Sequence, residues 1–224
     1  MRKISIFVAL TVIFMAGIIS FSSQAFGQSA RKVLMIPREG YSIELDLMIK
    51  MEVGVMNILL KGAGFQVDVA TTSGQPILGP TEKIEKVSRL SEINLNDYVG
   101  IIMPCMAVGM YPGPPVSPQT VALVKRALAE GKPVAAGANS SIILAEAGLL
   151  KGKRYAYITD PLKTTETWTR TDPRFEGGIY SGPGVVQDGK IITSGVCPTL
   201  ERLFAVQNGT VELTQKFIAA IGPK

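Results

Sequence analysis

Short apolar runs separated by amphipathic stretches set the first picture of this chain. Val33-Leu34-Met35-Ile36 is a continuous apolar run, as expected of a strand buried on both faces. After a polar turn, Leu45, Ile49, Val53, Met56, Leu60 and Ala63 recur at spacings of three and four. That spacing predicts one buried face of a helix, ended by Gly62 and Gly64. Residues 65–70 then alternate apolar and polar like a strand. A strand–helix–strand unit therefore opens the domain, and its crossover is expected to be right-handed.

Residues 71–96 are polar and punctuated by Gly and Pro, with a short helix expected around 81–90. Tyr98-Val-Gly-Ile-Ile-Met103 reads as a third buried strand, running into Pro104, Cys105 and a Gly/Pro-rich loop to Pro115. Ser117 followed by Pro118 is an N-cap and first helical position. The helix that follows should turn Val121, Val124 and Leu128 inward and close at Gly131. Residues 133–136 predict a fourth strand, 141–147 a helix and 155–158 a fifth strand. Val185-Val186, the turn Asp188-Gly189 and Ile191-Ile192-Thr193 predict a hairpin, and helices are expected near 198–206 and 211–221. Alternating strands and helices indicate an α/β three-layer sandwich with a mainly parallel sheet of flavodoxin-like type. Ligands in such folds bind beyond the carboxyl ends of the strands.

The N-terminus does not belong to that pattern. Arg2 and Lys3 precede an uncharged run from Ile4 to Phe21, followed by small residues at Ala25 and Gly27. This reads as a secretory signal over residues 1–27, leaving one domain over 31–224. The run is also long enough to stay in a bilayer as an anchor over residues 4–21. Both readings place the domain outside the cytoplasm, in the periplasm or extracellular space. Membrane contact is expected only where the segment is retained.

Composition then removes several classes of chemistry. The 224-residue chain has no histidine and two cysteines, which rules out Ser-His-Asp catalysis, His-ligated metals and a four-cysteine metal site. No cofactor is expected. Cleavage after Gly27 leaves 21 basic against 18 acidic residues with no basic cluster, so no nucleic-acid partner is expected. A hydrophobic fraction of 46% with 18% charged residues belongs to a folded chain.

The run from Lys132 to Gly152, KPVAAGANSSIILAEAGLLKG, resembles the strand–elbow–helix segment of the ThiJ/PfpI family, within the class I glutamine amidotransferase-like fold. The stretches from Asp97 to Pro104 and from Asp188 to Ser194 fit the same pattern, so the resemblance covers nearly the whole domain. The resemblance implies a cysteine nucleophile on a strained turn, and Ala138 stands at that position. The neighbour that is often histidine in the family is Asn139, and the following Gly-Pro is Ser140-Ser141. The family's acid from the turn after the first strand carries over best to Glu44. The resemblance thus implies a site formed by Glu44, Cys105, Gly137, Ala138, Asn139, Ser140, Ser141 and Cys197.

An alanine cannot attack a carbonyl. The expectation is therefore a non-catalytic module that binds a small molecule, a carboxylate being the class suited to the helix amides beside Ser140 and Ser141. Homodimerisation through the family's usual surfaces is a further expectation. The alternative is a hydrolase or lyase acting on a small carbonyl compound, with Cys105 as relocated nucleophile and Glu44 assisting. Cys105 and Cys197 are expected to flank one pocket, as a disulfide, as two buried thiols, or with Cys105 reactive. Trp168, the sole tryptophan, is expected to be a packing anchor, with ligand stacking as the other reading.

Overall fold

The computed structural model describes residues 31–39, 44–105, 116–160, 162–163 and 165–222. The leader or anchor expected over residues 1–27 and the loop 106–115 lie outside the described residues. Strand β1 (Lys32–Met35) alternates its side chains between two layers: Val33 and Met35 face one core, Leu34 and Ile36 the other. Both faces are covered, which is why the strand reads as an unbroken apolar run rather than an alternating one.

The predicted first helix is continuous but changes pitch. It starts as α1 (Leu45–Met48), widens into a π segment at Ile49–Val53, and resumes as α2 (Gly54–Gly62). The predicted face is buried at Leu45, Ile49, Val53, Met56 and Leu60, and Met48 and Glu52 join it. Strand β2 (Gln66–Thr71) pairs parallel to β1, completing the expected crossover unit.

The helix expected around 81–90 is absent. The segment instead forms short strands β3 (Ile77–Leu78), β4 (Lys83–Ile84) and β5 (Ser88–Arg89), followed by a 3-10 turn at Leu90–Glu92. The reason is tertiary. Ile84 and Lys83 pair antiparallel with Ile77 and Leu78, and Ser88 and Arg89 pair parallel with Ala70 and Thr71, while the Asp46 carboxylate accepts from the Thr81 and Glu82 amides and the Thr81 hydroxyl in the connecting segment. Ile84, Val87 and Leu90 are its only apolar residues, too few to hold so short a helix by burial.

Strand β6 (Tyr98–Met103) lies beside β1, and α3 (Pro118–Ala129) follows on one face. Ser117 caps α3, its Oγ accepting from the Thr120 amide while also hydrogen-bonded to the Thr72 hydroxyl. Ser117→Ala should lower stability by about 1 kcal/mol, read as a shifted urea midpoint at unchanged m-value. Strand β7 (Val134–Gly137) leads into α4 (Ser141–Glu146). The expected fifth strand shrinks to β8 (Arg154–Tyr155), which pairs with β9 (Ile179–Tyr180) away from the central sheet. The hairpin of β10 (Val185–Asp188) and β11 (Ile191–Ser194) is as expected, and α5 (Pro198–Phe204) and α6 (Thr210–Ile221) close the chain.

The central sheet has the order β10-β11-β7-β6-β1-β2-β5, parallel except for β10. Leu213, Phe217 and Ile221 of α6 share one core with α1 and α2, whereas Val124 and Ala127 of α3 and Ile142–Ala145 of α4 fill the other. This is the three-layer α/β sandwich read from the alternation of elements. Arg31, just before β1, donates to the Ile221 and Gly222 carbonyls at the end of α6 and lies over the Phe65 ring. Among the described residues no helix is long and apolar enough to cross a membrane.

Candidate functional site

Three neighbouring strands converge at one end of the sheet. Strand β7 lies between β11 and β6, and its last residue, Gly137, runs directly into a 3-10 turn at Ala138–Ser140 and then α4. Ala138 adopts φ 44°, a left-handed conformation that costs a residue with a Cβ about 1–2 kcal/mol. Such strain persists only where the surroundings hold it. Here Ala138 is fully buried, and both following side chains are tied down. Asn139 Oδ1 accepts a hydrogen bond from the Tyr157 hydroxyl, and Ser140 Oγ donates to the Pro104 carbonyl. Ser141 Oγ is buried without a hydrogen-bond partner.

The acid beside this elbow is Glu52. It projects from the π segment, is 2% exposed, and its Oε1 accepts the Cys105 amide at 2.9 Å. Gly137 makes room for it, because a Cβ there would fall 2.9 Å from Glu52 Oε1. Burial pushes the Glu52 carboxyl well above the usual carboxylate range; Cys197 adds to the shift and the Cys105 amide opposes it. Cys105 and Cys197 are both buried and unbridged, belong to one core cluster and lie near enough for their thiols to interact. The neighbouring Cys105 thiol pushes the Cys197 thiol well above its ordinary value, and burial adds to it. Strands β6 and β11 thus deliver one cysteine each across the end of β7.

Of the residues expected to form the site, Cys105, Gly137, Ala138, Asn139, Ser140, Ser141 and Cys197 are brought to this one region. Glu44 is not among them. It is exposed at the start of α1, where it interacts with Arg38, and it borders a surface groove with Asp46, Lys50, Thr199 and Arg202. The acid at the elbow is instead two turns further along the helix. The signal for it was present: Glu52 follows Ile49 by three and precedes Met56 by four, a carboxylate within the apolar stripe.

Arg38 brings a guanidinium to the same end of the sheet, within electrostatic reach of Cys105 and Glu44; partial burial lowers its pKa while those two groups raise it. Trp168 packs edge-on against Phe204, ring centroids 6.1 Å apart, in keeping with the anchor reading. A separate open cavity of about 630 Å³ lies in the 155–180 segment, lined by Tyr155, Thr167, Asp172, Phe175 and Tyr180. No group of three or more acidic or cysteine side chains among the described residues could hold a metal ion.

A parallel α/β sheet ending in a buried, left-handed strand-to-helix turn with a protonatable acid behind it defines a narrow class. The DJ-1/PfpI family matches residues 33–207, and the chain belongs to that family. It is 32% identical over 145 residues to an uncharacterized protein, MJ0967, of Methanocaldococcus jannaschii, covering 64% of this chain and 67% of that one. Solved structures with the same fold include a ThiJ/PfpI domain protein from Brachyspira murdochii, with TM-score 0.62 and 14% identity over 86% of this chain and 96% of that one. The Drosophila melanogaster DJ-1beta structure matches with TM-score 0.53 and 18% identity over 86% of this chain and 98% of its own.

Proposed function

We propose that the protein is an exported DJ-1/PfpI-family domain that has no thiol on its elbow and serves as a non-catalytic small-molecule-binding or regulatory module. The observation that carries this reading is Ala138: the turn keeps the left-handed strain of a nucleophile position, and the side chain held there has no atom that can attack. Asn139 is committed to Tyr157 and Ser140 to Pro104, and the chain has no histidine to activate either serine. The ligand class that suits the region is a small carboxylate, met by the Arg38 guanidinium and by the unpartnered hydroxyl of Ser141.

Calorimetric titration of a panel of small carboxylates, with solution composition followed by proton NMR, tests this. The expected result is saturable binding without product, weakened about tenfold by Arg38→Ala. Product formation that disappears on replacing one residue of the region would overturn it. The contact of Glu52 with the Cys105 amide favours the alternative, a hydrolase or lyase of small carbonyl compounds using Cys105, with Glu52 rather than Glu44 as its acid. Turnover abolished by Cys105→Ser is the outcome that selects it.

A further inference from the structure

Cys105 lies two residues past the end of β6, and Cys197 three past the end of β11. Those strands flank β7 without touching each other, so the two chain segments must lean over the end of β7 to meet. They can do so because the last residue of β7 is glycine, with Glu52 Oε1 and the Cys105 amide filling the place of its side chain. Both cysteines end buried in one core cluster at the end of β7, where Glu52 Oε1 accepts the Cys105 amide, with the Arg38 guanidinium within electrostatic reach of Cys105. An S–S bond of about 2.05 Å requires the two side chains to turn toward each other over Gly137, where no side chain stands between them. The two cysteines also differ: Cys105 keeps 5% of its surface exposed, whereas Cys197 keeps 1%.

We propose that Cys105 and Cys197 form a reversible dithiol–disulfide pair that exchanges with small-molecule disulfides, Cys105 attacking first and Cys197 resolving. In the first step the Cys105 thiol loses its proton to solvent and its sulfur attacks one sulfur of a disulfide R–S–S–R. An S–S bond forms, the original S–S bond breaks, and one R–S⁻ leaves. In the second step the Cys197 sulfur gives up its proton and attacks the Cys105 sulfur, expelling the second R–S⁻. The two leaving thiolates take up the two protons, so the protein is oxidised by two electrons and the small disulfide is reduced to two thiols. The bridge would join β6 to β11 across the elbow. This pair is independent of whether the elbow binds a ligand.

The test uses the protein in a mercaptoethanol/hydroxyethyl disulfide redox buffer, quenched by acid, denatured, alkylated and weighed intact. In the oxidised buffer the alkylatable thiols should fall from two to none, with the mass of two hydrogens lost and one peptide joining Cys105 to Cys197. Excess mercaptoethanol should restore both thiols, and a protein isolated already bridged and opened in that way also supports the pair. Cys197→Ser should stop at a mercaptoethanol adduct on Cys105, and Cys105→Ser should leave Cys197 unmodified in the native protein. A stable adduct on the unmutated protein, an intermolecular bridge, or two thiols that still label fully would overturn the proposal. The unmutated protein alone distinguishes these outcomes, so misfolding of either serine variant leaves the test intact.

Discussion

Glu52→Gln is expected to flatten the pH dependence of stability. The Glu52 carboxyl is buried, so its pKa in the folded protein lies well above that of the unfolded chain, which is near 4.3. Below about pH 4 the group is protonated in both states, and its burial carries no ionisation penalty. As pH rises, the unfolded chain releases the proton while the folded protein retains it. The folded state then binds more protons, and stability falls with pH. The slope from one such group approaches about 1.4 kcal/mol per pH unit until the folded carboxyl itself titrates. Glutamine keeps the shape and the carbonyl that accepts the Cys105 amide, but has no proton to lose. Chemical denaturation of both proteins at intervals upward from about pH 4 should show the wild type losing ground to Glu52→Gln until the folded carboxyl itself titrates. Parallel stability curves would show that Glu52 is solvated in the folded state.

Gly195→Ala should be the more damaging change. A Cβ at Gly195 would lie 2.6 Å from the Pro183 carbonyl oxygen and from the Tyr157 carbonyl carbon and oxygen. All three are backbone atoms, so no side-chain rotation relieves the overlap. The Gly195 amide also donates to the carbonyls of Pro183 and Gly184, fixing its position from a second direction. A loss of about 3 kcal/mol or more is expected, lowering the Tm by roughly 6–12 °C. Gly184→Ala is the matched control, because nothing lies within 4 Å of the added methyl. It should change stability by no more than about 0.5 kcal/mol. Equal effects at the two positions would mean that this backbone contact yields easily.

The central layers of the fold were legible because each element announced itself by burial. The run at Val33–Ile36 could only be a strand with both faces covered, and the stripe from Leu45 to Leu60 could only be a helix with one. Where burial is weak, local pattern misled. Residues 81–90 have the charged composition of an exposed helix, yet pairing with Ile77–Leu78 and with Ala70–Thr71 of β2 draws them out as short strands. Tyr155–Ile158 are all buried, but the chain pairs only through Arg154 and Tyr155, with partners on β9 that no local signal connects to them.

The elbow was legible for a different reason: its residues are consecutive. Glu52 was missed because the family resemblance pointed to the turn, and the π segment that turns an additional residue inward has no sequence signature of its own. The meeting of Cys105 and Cys197 depends on the order β11-β7-β6, which follows from topology rather than from spacing.

The clamp of Arg31 on the last turn of α6 has a consequence for orientation. It fixes the start of the domain at the amino-terminal end of the parallel strands, whereas the elbow lies at their carboxyl end. Any segment joined ahead of residue 31 therefore departs from the pole opposite the candidate site. Were residues 4–21 to remain in a bilayer, that pole would face the lipid and the elbow would point toward the surrounding medium. A tether at this end joins the domain on the side away from Ala138, Cys105 and Cys197.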